Sequence, residues 1–194
     1  MRPQEHAKLT AGQYLALERA AESKSEYLNG ELFAMAGASR EHNQISSNIV
    51  ASLSAQTADQ PCSVYASDMK VKIDKANKYT YPDVVAVCDP QQFEDEHKDV
   101  LLNPRLIVEI LSDSTEAYDR GLKFFHYQRL DSLREYLLVS QKFCHVEKYE
   151  QQADNLWAYS AFYDLDDTIA INTLHCALRL RDIYRKLELK ERII

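Results

Sequence analysis

The chain has 194 residues, 45% of them apolar and 27% charged, with a formal net charge of −7. This composition excludes a disordered chain, and no run approaches the roughly 18 consecutive apolar residues that a membrane span needs. The acidic balance argues against a protein that grips nucleic acid by bulk positive charge, but it accommodates a site that gathers carboxylates around a cation.

The start, Met1 to His6, lacks the apolar centre of a secretion signal, so a cytoplasmic protein is expected. Residues 9–21 have helical spacing with Thr10 as N-cap, and Asn29-Gly30 between residues 25–28 and 31–35 signals a hairpin with a tight turn. Ile45, Ile49 and Leu53 recur every fourth position, which predicts a long amphipathic helix over 39–58. Strands are predicted at 62–66, 69–73, 84–87 and 106–111, then a helix over 116–130 capped by Ser114 or Thr115. Further strands at 135–139, 143–149, 156–162 and 168–171 precede a closing helix over 181–189. The sum is one α/β domain over residues 1–194 with a mixed central sheet flanked by helices, its core about 25–150. Cys62, Cys88, Cys144 and Cys176 show no CxxC spacing, so reduced core thiols are expected rather than a zinc site or a disulfide framework.

Two acidic positions stand out. Asp83 follows Tyr81-Pro82 at the start of an apolar strand, and Glu109 sits inside the apolar run Leu106–Leu111. A buried carboxylate costs several kcal/mol unless it is compensated or neutralised. On adjacent strands the two acids can share a divalent cation, and Mg2+ suits such an oxygen-donor site, with the backbone carbonyl of Ile110 completing the protein ligands. Two residues after Glu109, where a lysine would complete a linear motif, stands Leu111; Lys123, on the following helix with Asp119 four residues before it, is the candidate replacement. The bland alternatives are a turn-forming Asp83 and a solvated Asp119/Lys123 pair.

Tyr81-Pro82-Asp83-Val84, Val108-Glu109-Ile110-Leu111-Ser112, Asp119-Arg120-Gly121-Leu122-Lys123, Tyr127 and Glu135 to Val139, with Asn29-Gly30-Glu31 and His42 upstream, resemble the Uma2 family of endonucleases. The resemblance runs from about Leu9 to Tyr149 and implies the restriction-endonuclease-like fold of the PD-(D/E)XK superfamily. It also implies a Mg2+ or Mn2+ site at Asp83 and Glu109 and a catalytic lysine moved to the helix, here Lys123. Asp113 and Ser140 depart from the family pattern. Glu31 is either a third carboxylate or a surface residue. His42 either touches substrate or is satisfied by nearby backbone.

The expected activity is metal-dependent hydrolysis of DNA, with a homodimer serving to cut both strands. The alternatives are a binding module without catalysis on the same fold and a small-phosphodiester hydrolase. Substituting Asp83 or Lys123 by alanine is expected to abolish cleavage while leaving the melting temperature near that of the parent. Arg120, Lys70 and Lys72 read as ordinary solvated charges, and so does His97. Trp157, Tyr159, Phe162 and Tyr163 read as a packed sheet face or a dimer contact, and the basic run from Arg179 to Arg192 as a solubilising face.

Overall fold

The Thr10 hydroxyl accepts from the Gln13 N–H at 3.2 Å, and the Gln13 side chain accepts from the Thr10 N–H at 2.9 Å. This reciprocal capping box starts α1 (Ala11–Ala20). The computed structural model describes residues 8–190; Met1 to His6 and Arg192 lie outside the described residues. The hairpin follows as predicted, β1 (Ser25–Leu28) and β2 (Glu31–Ala34), turning through Asn29 at φ 50° and Gly30 at φ 97°. Gly30 is required twice over: its φ is strained for other residues, and a Cβ there would lie 2.5 Å from Lys8 Cβ. Ser39 caps α2 (Arg40–Gln56), whose Ile45, Ile49 and Leu53 are fully buried.

The strands that follow are β3 (Cys62–Ala66), β4 (Lys70–Ile73), β5 (Lys78–Thr80), β6 (Val84–Cys88), β7 (Val100–Leu101) and β8 (Leu106–Leu111). After a helical segment come β9 (Glu135–Ser140), β10 (Val146–Gln151), β11 (Trp157–Phe162), β12 (Thr168–Ile171) and β13 (Cys176–Arg179). The expected mixed sheet is present as a six-stranded sheet in the order β11-β10-β9-β8-β6-β3, in which only β8 and β9 run parallel. Parallel neighbours need a crossover, and the helical segment supplies it. The N-terminal hairpin joins a second sheet, β2-β1-β5-β4-β7, while β12 and β13 pair separately. One face of the large sheet packs Val84, Ala86, Leu106, Val108 and Ile110 against α2 and the β12–β13 pair. The other packs Val85, Val87, Ile107 and Leu111 against Val71, Ile73, Leu101 and Tyr127.

Several expectations change. The helix predicted over 116–130 is α3 (Glu116–Tyr118), a π-helical turn (Asp119–Lys123) and α4 (Phe124–Tyr127). The closing helix is only α5 (Leu180–Ile183). Asn48 draws the chain away from that helix by donating to the carbonyls of Ile183 (2.9 Å) and Arg185 (3.0 Å), and Lys186 takes φ 66°. The strand expected from 143 begins at Val146, because the Ser140 hydroxyl accepts from the Lys142 and Phe143 N–H groups and holds a turn there. Cys62 and Cys88, expected as thiols, are bonded at 2.00 Å: the β3–β6 register sets them opposite each other with Cα atoms 3.9 Å apart. Cys144 and Cys176 are free thiols. Among the described residues no helix is long and apolar enough to cross a membrane.

Lys70 and Lys72 are not solvated charges either. Lys70 pairs with Asp99 at 2.9 Å, and Arg19 clamps Asp99 at 2.7 Å and Asp95 at 2.8 Å, tying α1 to the loop before β7. Lys72 pairs with Glu94 at 2.8 Å and Asp74 at 2.9 Å. Arg19 holds the Asp99 carboxyl well below its ordinary range against the opposing effect of burial, and Lys70 adds to the depression. A depressed carboxyl stabilises the fold above its unfolded pKa, about 3.9, and that stabilisation disappears as pH falls through the folded value. Asp99→Asn is therefore expected to destabilise at neutral pH by about 1 kcal/mol, a modest figure because the pair is partly solvated. Urea unfolding at pH 7 and in strong acid checks this: the gap between parent and variant closes on acidification, and a gap independent of pH contradicts it.

Candidate active site

The β6–β8 register pairs Val84 with Val108, and its next step sets Asp83 opposite Glu109. Pro82 precedes Asp83 and has no N–H to continue the ladder. The Asp83 side chain takes over that role: its Oδ2 accepts from the Ile110 N–H at 2.7 Å. Its Oδ1 lies 3.0 Å from His42 Nε2, and since a carboxylate oxygen accepts, Nε2 carries the proton. His42 is thus not satisfied by nearby backbone at Nε2; it reaches across from the first turn of α2 and orients the acid. The Ile110 backbone meets Asp83 through its amide.

Glu109 is only 2% exposed. Its Oε1 accepts from the Tyr127 hydroxyl at 2.7 Å and lies 2.8 Å from Lys123 Nζ. The π-helical turn places Asp119 and Lys123 inward together, with Asp119 Oδ1 3.5 Å from the ammonium, and Tyr136 pins the turn by donating to the Asp119 carbonyl. The Asp119/Lys123 pair is therefore buried, not solvated. Glu26 of β1 approaches the same ammonium at 3.6 Å, accepts from Thr80 and Tyr118, and meets Lys78 at 3.4 Å. Lys78, 1% exposed, donates to the Tyr118 hydroxyl.

Four carboxylates, Asp83, Glu109, Asp119 and Glu26, thus face two ammonium groups. Burial pushes Glu109 up to about 8; Lys123 opposes this, while Asp83 and Asp119 add to it. Burial also raises Asp119 against the pull of Lys123. Burial disfavours the Lys123 ammonium, yet Glu109, Glu26, Asp119 and Asp83 outweigh it and hold the lysine protonated. Burial opposes ionisation of Glu26 as well, and Lys123, Lys78 and Thr80 overcome it. Burial depresses Lys78, with Glu26 resisting and Lys123 reinforcing. The two ammonium groups are a deficit of positive charge against the acids around them, and burial favours the protonated form at Glu109 and at Asp119.

This deficit fits a hard divalent cation in its donor chemistry, because Mg2+ binds through one or two carboxylates and keeps several waters. Among the described residues no group of three His, Cys, Asp or Glu side chains is arranged to hold a metal, so protein side chains would supply only the two strand carboxylates.

The structure brings Asp83, Glu109, Lys123 and His42 together. It does not bring Glu31, which is exposed on β2 and makes no side-chain hydrogen bond or ion pair among the described residues. Glu31 shares a sheet face with Glu26 but pairs with Leu28 at the hairpin tip, two rungs away from the Glu26–Phe33 pair. The acid that β1 brings to the site is Glu26, which sequence reasoning missed together with Lys78. Its signal was the charged residue beside Tyr27 in a strand where both are buried. Arg120 is bound to Glu116 at 2.8 Å and to Glu147.

A family profile, Uma2, described as "Putative restriction endonuclease", matches residues 11–182. The chain belongs to the Uma2 family. Two relatives from Synechocystis sp. (strain ATCC 27184 / PCC 6803 / Kazusa) are the uncharacterized proteins sll1609 and slr1290. The first is 38% identical over 150 residues, covering 77% of this chain and 84% of the relative. The second is 34% identical over 180 residues, covering 93% of each. The fold matches the crystal structure of a "putative nuclease belonging to DUF820" from Anabaena variabilis ATCC 29413, with a TM-score of 0.72 and 18% identity over 90% of this chain and 97% of that one. This Uma2 chain therefore has the mixed α/β architecture of that structure, as its sequence predicts.

Proposed function

We propose that this Uma2 chain is an endonuclease that hydrolyses DNA phosphodiester bonds with Mg2+ or Mn2+ held by Asp83, Glu109 and the Ile110 carbonyl. The observation that carries the reading is the buried contact of Lys123 Nζ with Glu109 at 2.8 Å, beside an Asp83 that His42 and the Ile110 amide fix in place. The cation, when bound, supplies Lewis acidity toward a nonbridging phosphate oxygen and makes a bound water more acidic. Lys123 contributes a permanently protonated donor that can hold the attacking water and offset charge developing on the phosphate. Tyr127 fixes Glu109, and His42 fixes Asp83, so neither acid needs to reorganise when substrate arrives. Glu26, held by Thr80, Tyr118 and Lys78, keeps the Lys123 ammonium directed inward. Two copies acting together would cut both strands of a duplex.

Nicking of supercoiled plasmid tests the reading. Cleavage is expected with Mg2+ or Mn2+ and not with chelator, and Asp83→Asn is expected to lower it by about 10² to 10³, the size of effect that removal of one electrostatic partner produces. Undiminished cleavage by that variant, or cleavage in chelator, would overturn it.

A further inference from the structure

A cavity of about 390 Å3 opens at the C-terminal ends of β8 and β9, within the size range of small-ligand sites. It adjoins the carboxylate site. Leu111, in its wall, stands two residues from Glu109 on the same face of β8, and Arg120, also in its wall, directly follows Asp119 on the π-helical turn. Its lining is polar and its cations are already paired: Arg120 is bound to Glu116 and Glu147, and Lys142 to Asp113. Three carboxylates among the lining groups make it a poor seat for a phosphate.

The same lining suits a planar heterocycle. Tyr163 lies parallel to His145, with ring centroids 4.7 Å apart and planes at 7°. Tyr163 and Tyr159 both line the cavity and are 49% and 55% exposed. Aromatic faces of this kind stack nucleobases irrespective of sequence. Glutamate oxygens accept from exocyclic amino groups, and a guanidinium donates to ring nitrogens and keto oxygens.

We propose that this cavity is a base subsite, which receives one unpaired nucleobase of the DNA strand presented to the neighbouring carboxylates; the assignment of that strand as substrate rests on the nuclease reading above. A base inside an intact duplex is stacked and paired, so the favoured substrate is single-stranded or locally unpaired DNA.

The test is equilibrium binding of a short fluorescein-labelled single-stranded DNA in Ca2+, followed by anisotropy, with a single abasic residue moved along the oligonucleotide. One position is expected to weaken binding roughly tenfold, the scale of one lost base–aromatic stack. The Tyr159→Ala/Tyr163→Ala double variant is expected to bind the intact and abasic oligonucleotides alike. Tyr159→Leu, which keeps apolar area without the ring, guards against a folding defect and is expected to lose part of the same discrimination. A flat abasic series, or discrimination retained by the double variant with an unchanged melting curve, overturns the base subsite. Cleavage of the same single-stranded oligonucleotide in Mg2+, measured in parallel, separates the two readings: cleavage with a flat series sinks only the subsite, and position-dependent binding without cleavage sinks only the nuclease.

Discussion

Lys123→Ala is expected to lose at least about a hundredfold in metal-dependent cleavage and, in addition, to lower stability by about 3 to 5 kcal/mol. The stability loss departs from what the sequence suggests, an unchanged melting temperature, because that expectation assumes a lysine on a solvated helix face. Lys123 is 6% exposed and its ammonium faces Glu109, Asp119 and Glu26 at 2.8, 3.5 and 3.6 Å. Removing one partner of a buried ion cluster leaves the others uncompensated, which is the costly way to break it. Glu109 limits the damage below pH 8 by staying protonated, since burial already pushes it to about 8. The sign of the pH dependence follows. A carboxyl whose folded pKa lies above its unfolded value, about 4.3, stabilises most below that value and loses the effect as pH rises through the folded pKa. In the parent without metal that window closes near 8. Without Lys123 the Glu109 value moves higher still, so the stability gap between parent and variant widens above pH 8. Urea unfolding of both proteins in chelator at pH 6 and pH 9 measures this, and cleavage assayed well below both melting points isolates the catalytic loss. A variant as stable as the parent would mean the ammonium is not buried against its acids. One that also cuts as fast would remove Lys123 from the mechanism.

The parts of this site that were legible in the sequence are those where a charge interrupts an apolar run. Glu109 is such a case, and Asp83 follows a proline at a strand entrance, so both stand out without coordinates. Lys123 was legible only by its absence from position 111 and by the family resemblance. Glu26 and Lys78 were hidden because β1 and β5 are too short for a period to register: Lys78, Tyr79 and Thr80 are all buried, so no alternation marks which side faces inward. Their partners lie on β1, β5 and the π-helical turn, and only the packing of the second sheet against the helical segment brings them together. That turn was also unreadable, because apolar residues at 118, 122 and 125 keep ordinary helical spacing across it. The pairing of Cys62 with Cys88 depends on strand register, which a separation of 26 residues does not reveal.

Glu135→Ala is expected to cost a further about 3 to 5 kcal/mol while leaving cleavage, measured below the melting point, unchanged. Glu135 is fully buried at the start of β9 and pairs with Leu106, at the end of β8 remote from the last residues that line the candidate site. Its Oε1 meets Lys148 Nζ at 2.6 Å and accepts from the Asn172 N–H at 3.0 Å. Its Oε2 accepts from the Thr173 N–H at 3.0 Å and from the Thr173 hydroxyl. One carboxylate thus fastens the turn between β12 and β13 to the large sheet, and that pair covers the core with Ile169, Ile171, Leu174 and Leu178. Alanine leaves Lys148 with Glu150 and the Ala170 carbonyl, and leaves two backbone donors without their acceptor. Glu135→Gln keeps one acceptor oxygen, removes the charge and turns the other oxygen into an amide donor that cannot accept from its backbone N–H, so a loss smaller than alanine's, about 1 to 3 kcal/mol, is expected. The ordering discriminates between mechanisms: if packing volume alone mattered, glutamine would match the parent, and if the ion pair alone mattered, glutamine would match alanine. Urea midpoints for the three proteins at constant slope decide it. A loss under about 1 kcal/mol for alanine would show that the β12–β13 pair is held by its apolar residues without help from Glu135.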